Sequence, residues 1–179
     1  MKKHPTFRLC MLCTLFLLSL CLCGCGRSSS APDVLRAVCS GEAALPAGRY
    51  YFRSASPPLS EATGEPSEFY GMDEKLFAAL FGDGSLPAEA DCITECACYF
   101  SYTEPNEISV FLCKSSADAE RVAKLCLRRL EFLRTHYRGD GHGGVDLTEK
   151  ARILRSGRWV LFCVSQAPEE TCHAFRRAL

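Results

Sequence analysis

Cys92-Ile93-Thr94-Glu95-Cys96-Ala97-Cys98-Tyr99-Phe100-Ser101-Tyr102, then Thr103-Glu104-Pro105-Asn106, then Glu107-Ile108-Ser109-Val110-Phe111-Leu112-Cys113-Lys114, is the stretch that decides the fold. Two runs rich in β-branched and aromatic residues flank a Pro- and Asn-containing turn, which is the pattern of a β-hairpin. Pairing Tyr102 with Glu107 sets Glu95 opposite Lys114, Tyr99 opposite Val110 and Cys96 opposite Cys113. The opposed charges support that register. Ala97, Tyr99, Val110 and Leu112 then share one face, and Cys96, Cys98, Phe100 and Phe111 the other. Both faces are apolar, so the sheet is buried on both, or buried on one and used for contact on the other.

Downstream, Ser115 to Tyr137 reads as the longest helix. Ser115 and Asp118 have capping-box-like spacing. Ala119, Val122, Ala123, Cys126, Leu130, Leu133 and Tyr137 fall at helical intervals and form a core-facing stripe. Arg121, Lys124, Arg128, Arg129 and Arg134 lie off it and read as a solvated face. A Gly-rich loop, Arg138 to Glu149, follows. Ala151 to Arg155 and Arg158 to Ser165 form a second hairpin turning at Ser156-Gly157. Pro168 opens a final helix with Glu169 and Glu170 in its first turn.

Upstream, Asp33 to Cys39 is a short apolar-periodic helix stopped at Gly41. Arg49 to Ser54 is an aromatic-rich strand, Ser60 to Ser67 a loop, and Asp73 to Phe81 a short helix capped by Asp73 and stopped by Gly82. From Cys92 the order is β-β-α-β-β-α. The expected fold is α+β, with an antiparallel sheet of about four to five strands and helices mainly on one face.

The first 24 residues have a different character. Lys2, Lys3 and Arg8 precede an apolar run from Leu9 to Leu22, short for a bilayer span and suited to a signal peptide. Leu22-Cys23-Gly24-Cys25 reads as a lipobox. A signal peptidase would cut between Gly24 and Cys25 and leave a lipidated Cys25, with residues 25–32 as tether and 33–179 as a single domain. Two acyl chains anchor stably where one is marginal. The alternatives are an uncleaved single-pass helix or plain secretion after Ala31. All three place the domain outside the cytoplasmic membrane.

Of 21 basic and 21 acidic residues, three bases and no acid fall in the first 24, so the remainder carries three more acids than bases. That excludes a nucleic-acid footprint and a polybasic lipid patch. Eight cysteines remain beyond Cys25: Cys39, Cys92, Cys96, Cys98, Cys113, Cys126, Cys163 and Cys172. Most sit in apolar periodic segments, where a reduced Cys packs as a small hydrophobe. A cross-strand disulfide between Cys96 and Cys113 is the one pairing the hairpin suggests.

Other chemistry is weakly signalled. Cys92, Cys96 and Cys98 lack the second ligand pair of a structural zinc site. Gly141 to Leu147 resembles one copy of a calcium-binding nonapeptide whose sites need stacked repeats, and it fails the EF-hand spacing. Cys172 and His173 are helix neighbours about 100° apart and form no dyad. No nucleophile elbow, dinucleotide fingerprint, phosphate loop or zinc-protease motif occurs. No metal, cofactor or catalytic residue is assigned.

Tyr70-Gly71-Met72-Asp73, Asn106-Glu107-Ile108-Ser109-Val110-Phe111, the helix to Tyr137 and Ser156-Gly157-Arg158-Trp159-Val160-Leu161 together resemble the DUF4358 family, a group of uncharacterised Gram-positive lipoproteins. The resemblance covers roughly Tyr70 to Leu179 and includes the order of elements behind a lipobox. It implies an anchored extracytoplasmic domain and supplies no activity and no site residues. The expected function is a non-enzymatic binding or scaffolding module of the cell envelope. It would touch the membrane through Cys25 and an envelope protein through an apolar sheet face or Tyr50-Tyr51-Phe52. The alternative is a cysteine-dependent hydrolase or thiol–disulfide protein.

Overall fold

A computed structural model describes residues 29–42, 45–55, 68–138 and 144–179. In chain order the elements are α1 (Ala31–Cys39), β1 (Gly48–Ser54), β2 (Phe69–Gly71), α2 (Glu74–Phe81), a 3₁₀ turn (Ala88–Cys92), β3 (Ile93–Ser101), β4 (Glu107–Cys113), α3 (Ser116–His136), α4 (Gly144–Lys150), β5 (Arg152–Ser156), β6 (Trp159–Val164) and α5 (Pro168–Ala178). The fold is α+β.

The sheet has six strands in the order β2-β1-β3-β4-β6-β5. Every neighbouring pair is antiparallel except β1 with β2, which is parallel. It is therefore a mixed sheet, larger than the four to five antiparallel strands expected. The missing edge strand, β2, has only three residues, too few for alternation to declare itself in sequence.

Helices cover both faces, not mainly one. Cys96, Cys98, Phe111, Val160 and Phe162 pack against Phe77 and Phe81 of α2 and against Val122, Leu125, Cys126 and Leu130 of α3. On the reverse, Ala97, Tyr99, Ile108, Val110, Leu161 and Cys163 pack against Val34, Leu35 and Val38 of α1 and against Cys172 and Phe175 of α5. The alternation read from the hairpin assigned these faces correctly. Two apolar faces require two covering layers, and α1 with α5 supplies the second.

The hairpin register differs from expectation by two residues. Phe100 pairs with Glu107, Ala97 with Val110 and Cys96 with Phe111, while Cys113 lies opposite Ile93 across an irregularity between Ile93 and Glu95. The connection is longer because Ser101 Oγ accepts from the amides of Thr103 and Glu104, a turn built by a hydroxyl. Glu95 is not matched to Lys114. Its carboxylate accepts from Ala31 N at 2.8 Å, at the positive end of α1. A shift of two preserves the face of each side chain, so the layers were predicted correctly from a wrong register.

Caps follow the sequence closely. Ser115 accepts from Asp118 N, Asp73 from Leu76 N, and Pro168 sits in the first turn of α5. Two boundaries are corrected. Ser30 caps α1, so Ala31 and Pro32 belong to a helix and not to a tether. Residues 144–150 form α4 inside what reads as a Gly-rich loop, with Leu147 and Thr148 buried. Among the described residues no helix is long and apolar enough to cross a membrane.

Candidate functional site

Gly24 and Cys25 lie outside the described residues, as does His142 of the nonapeptide-like stretch. The eight remaining cysteines are all free and buried. With Cys96 opposite Phe111, the direct cross-strand placement that suggested a Cys96–Cys113 disulfide does not occur. Cys96 instead has Cys98 Sγ at 3.3 Å along its own strand, the geometry of a thiol contact. Burial pushes the thiols of Cys39, Cys113 and Cys163 up to about 12, and those of Cys96 and Cys126 well above the ordinary value. Cys172 turns inward while His173 lies exposed beside Glu170 and Arg176. Among the described residues no three His, Cys, Asp or Glu side chains are placed to hold a metal.

The feature that stands out was not singled out in the sequence. Two adjoining clefts run along the C-terminal half of α3, sharing Leu80 and Arg129. The larger, of about 630 Å³, is walled by the Gly82–Gly84 loop, Pro87, Glu89 and Phe132. The smaller, about 210 Å³, reaches Pro105 in the hairpin turn and Tyr137. Together they form one groove between α3, the end of α2 and the β3–β4 turn.

An ion pair sits in the groove. Arg129 Nε and Nη2 both donate to Glu107 Oε2 at 2.9 Å, with side chains 10% and 2% exposed. Ser109 Oγ donates to the other carboxylate oxygen at 3.3 Å. Burial raises the Glu107 carboxyl, against the opposing pull of Arg129 and Ser109. The pair is thus only partly compensated for leaving water. The Arg129 guanidinium also lies over Phe132 at 5.4 Å and over Phe81 at 6.0 Å. Phe132 is half exposed and stacks on His136. At the rim Arg128 pairs with Glu89 at 3.0 Å. Burial tends to raise the Glu89 carboxyl, but its backbone hydrogen bond and Arg128 outweigh that and hold it below the usual value.

Local sequence places each part. Glu107 opens β4 on the same side as Ser109 and Phe111, so strand alternation aims it at α3. Arg129 lies three residues after Cys126 and four before Leu133, both on the buried stripe. That spacing is the signal that separates it from the solvated Arg128 and Lys124. The loop at the groove's wall needs Gly82, since a Cβ there would collide with the Ser85 carbonyl oxygen, and Asp83 and Gly84 both have positive φ.

The contact surfaces expected from sequence are less available. Both sheet faces lie under helices. Tyr50 and Tyr51 are part-buried, against Tyr99 and Phe100 respectively. No family model matches the chain, and neither does any curated protein or solved structure.

Proposed function

We propose that this chain is a lipid-anchored extracytoplasmic protein whose domain binds another component of the cell envelope through the groove along α3. The observation that carries the reading is the ion pair Glu107–Arg129, held out of water beside a half-exposed Phe132. A recognition site combines a few fixed polar groups with apolar and aromatic walls, and this groove has both. The resemblance to the DUF4358 family belongs to the same proposal and implies an anchored domain.

The cysteine-dependent alternative needs a thiol that substrate can reach and that ionises near neutral pH. The eight thiols of the domain are packed in its two cores, and burial raises most of them, which counts against that reading. Membrane attachment is tested by Cys25→Ala, which should move the protein from membranes to the medium. Retention on membranes would favour the uncleaved helix. Binding is tested with a photocrosslinking residue at Phe132 in intact cells. The expected result is a discrete adduct that disappears when Arg129 and Glu107 are together changed to Met, a replacement that keeps the buried pair's packing. An adduct pattern indifferent to that replacement would overturn the groove as the binding surface.

A further inference from the structure

We propose that the end of the domain formed by the start of α1 and the end of α5 rests on the headgroup layer of the membrane that holds Cys25, with the groove along α3 turned away from it. The inference rests on lipidation of Cys25. It goes beyond that reading by fixing which surface meets the bilayer.

The chain is bound to the domain from its first described residue. Ser29 Oγ donates to Ala178 O at 3.3 Å. Ser30 caps α1 through the amide of Asp33. Ala31 is fully buried and its amide reaches Glu95 at 2.8 Å. Only Gly26, Arg27 and Ser28 separate Cys25 from Ser29. Four residue steps span at most about 14 Å even when fully extended. A diacylglycerol on Cys25 is confined to the interface, so Ser29 and the adjoining end of α5 cannot rise further than this above it.

Strand directions fix what lies at each end. Ser54 pairs with Glu95 and Leu112 with Trp159, so the close of β1, the start of β3, the close of β4 and the β5–β6 turn share the anchored end. Gly48 pairs with Ser101 and Phe100 with Glu107, so the β3–β4 turn and Glu107 lie at the opposite end. The six residue steps from Glu95 to Ser101 rise about 20 Å. The α3 helix runs the same way, placing Arg129, Phe132 and Tyr137 toward the far end.

The charges beside the anchor suit this placement. Arg158, Arg176 and Arg177 are exposed and make no salt bridge with the described residues. Of the acids beside the anchor, Asp33 is paired with Arg36 and Glu95 accepts from the Ala31 amide. Asp73, Glu74, Asp91 and Asp118 reach the same end but belong to the α2 and α3 layer. Tether length therefore decides the orientation, and the free guanidinium groups are compatible with phosphate headgroups.

The test uses the full-length protein in native membranes and a membrane-impermeant maleimide polymer. The eight thiols among the described residues are buried, so labelling of the domain reports on introduced sites. Arg177→Cys should label several-fold more slowly on membranes than after detergent release, whereas Thr103→Cys in the hairpin turn should label equally in both states. A flexible insert of about twelve Gly and Ser residues between Ser28 and Ser29 should abolish the shielding of Arg177→Cys. Equal labelling of Arg177→Cys in both states, with the Cys25→Ala protein released to the medium, would overturn the orientation and leave the anchor intact. Persistent shielding after the insert would also overturn it. Retention of Cys25→Ala on membranes would remove the anchor, and the orientation with it.

Discussion

Arg129 and Glu107 show how a single pair can be expensive for folding and still define a surface. Removing one partner of a buried ion pair leaves the other uncompensated and costs about 3–5 kcal/mol. Arg129→Ala should therefore lower the denaturation midpoint sharply. Replacing both partners with Met should recover most of that loss, because a well-packed apolar pair is often neutral relative to the ionic one. If the double variant is as unstable as the single one, the pair is a stability element and not a feature kept for recognition. The buried thiols make a second residue-scale prediction. Cys39, Cys113 and Cys163 have folded values of about 12 against an ordinary 9. A raised folded value favours the native state below pH 9, and that advantage is lost as pH rises toward 12, because the unfolded chain ionises first. Stability measured by denaturant should fall through this window, by at most about 1.4 kcal/mol per pH unit for each such thiol. A flat profile between pH 9 and 11 would show that these thiols are not buried in solution.

At the scale of elements, β1 approaches β3 closely because Gly48 has no side chain. An added Cβ would sit 2.6 Å from the Tyr99 ring and would also strike the Phe100 carbonyl oxygen. Gly48→Ala should cost about 1–3 kcal/mol by overpacking, read as a lowered melting temperature. An unchanged melting temperature would mean that the start of β1 yields freely. Most elements were legible because their signals are local. Ser115, Asp73 and Pro168 announce helix starts, and alternation in β3, β4 and β6 assigns the faces. Register was not legible, since the Glu95–Lys114 charge match competed with a stronger partner, the start of α1, which lies 64 residues away in sequence. The same distance problem hid the groove. Nothing local to Arg129 tells it from Arg128 except its spacing from Cys126 and Leu133 at the border of the stripe, and nothing local to Glu107 says which helix will cross it. Neither Gly24 nor Cys25 falls among the described residues, so the lipobox remains a reading of sequence alone.

At the scale of the whole molecule, α1 has two roles that bear on each other. It closes the second core, and it is where the chain leaves for the proposed anchor. Val34, Leu35 and Val38 are at most 1% exposed. Full burial of three such side chains contributes roughly 5–9 kcal/mol, comparable with the whole stability of a small domain. The segment covered by the family resemblance, about Tyr70 to Leu179, lacks both α1 and β1. It would leave much of the Ala97, Tyr99, Ile108 and Val110 face open to water and β3 without its neighbour. A fragment of residues 70–179 should therefore bind a hydrophobic dye and associate, whereas residues 29–179 should be monomeric and unfold cooperatively. Cooperative unfolding of a monomeric 70–179 fragment would show that α1 is an accessory layer. If α1 is required, strain on the tether acts on the element that seals the second core. With Cys25 lipidated as proposed, the domain could then not stand far from the bilayer without loosening its own fold, and the short reach from Cys25 to Ser29 would be set by stability as well as by anchorage.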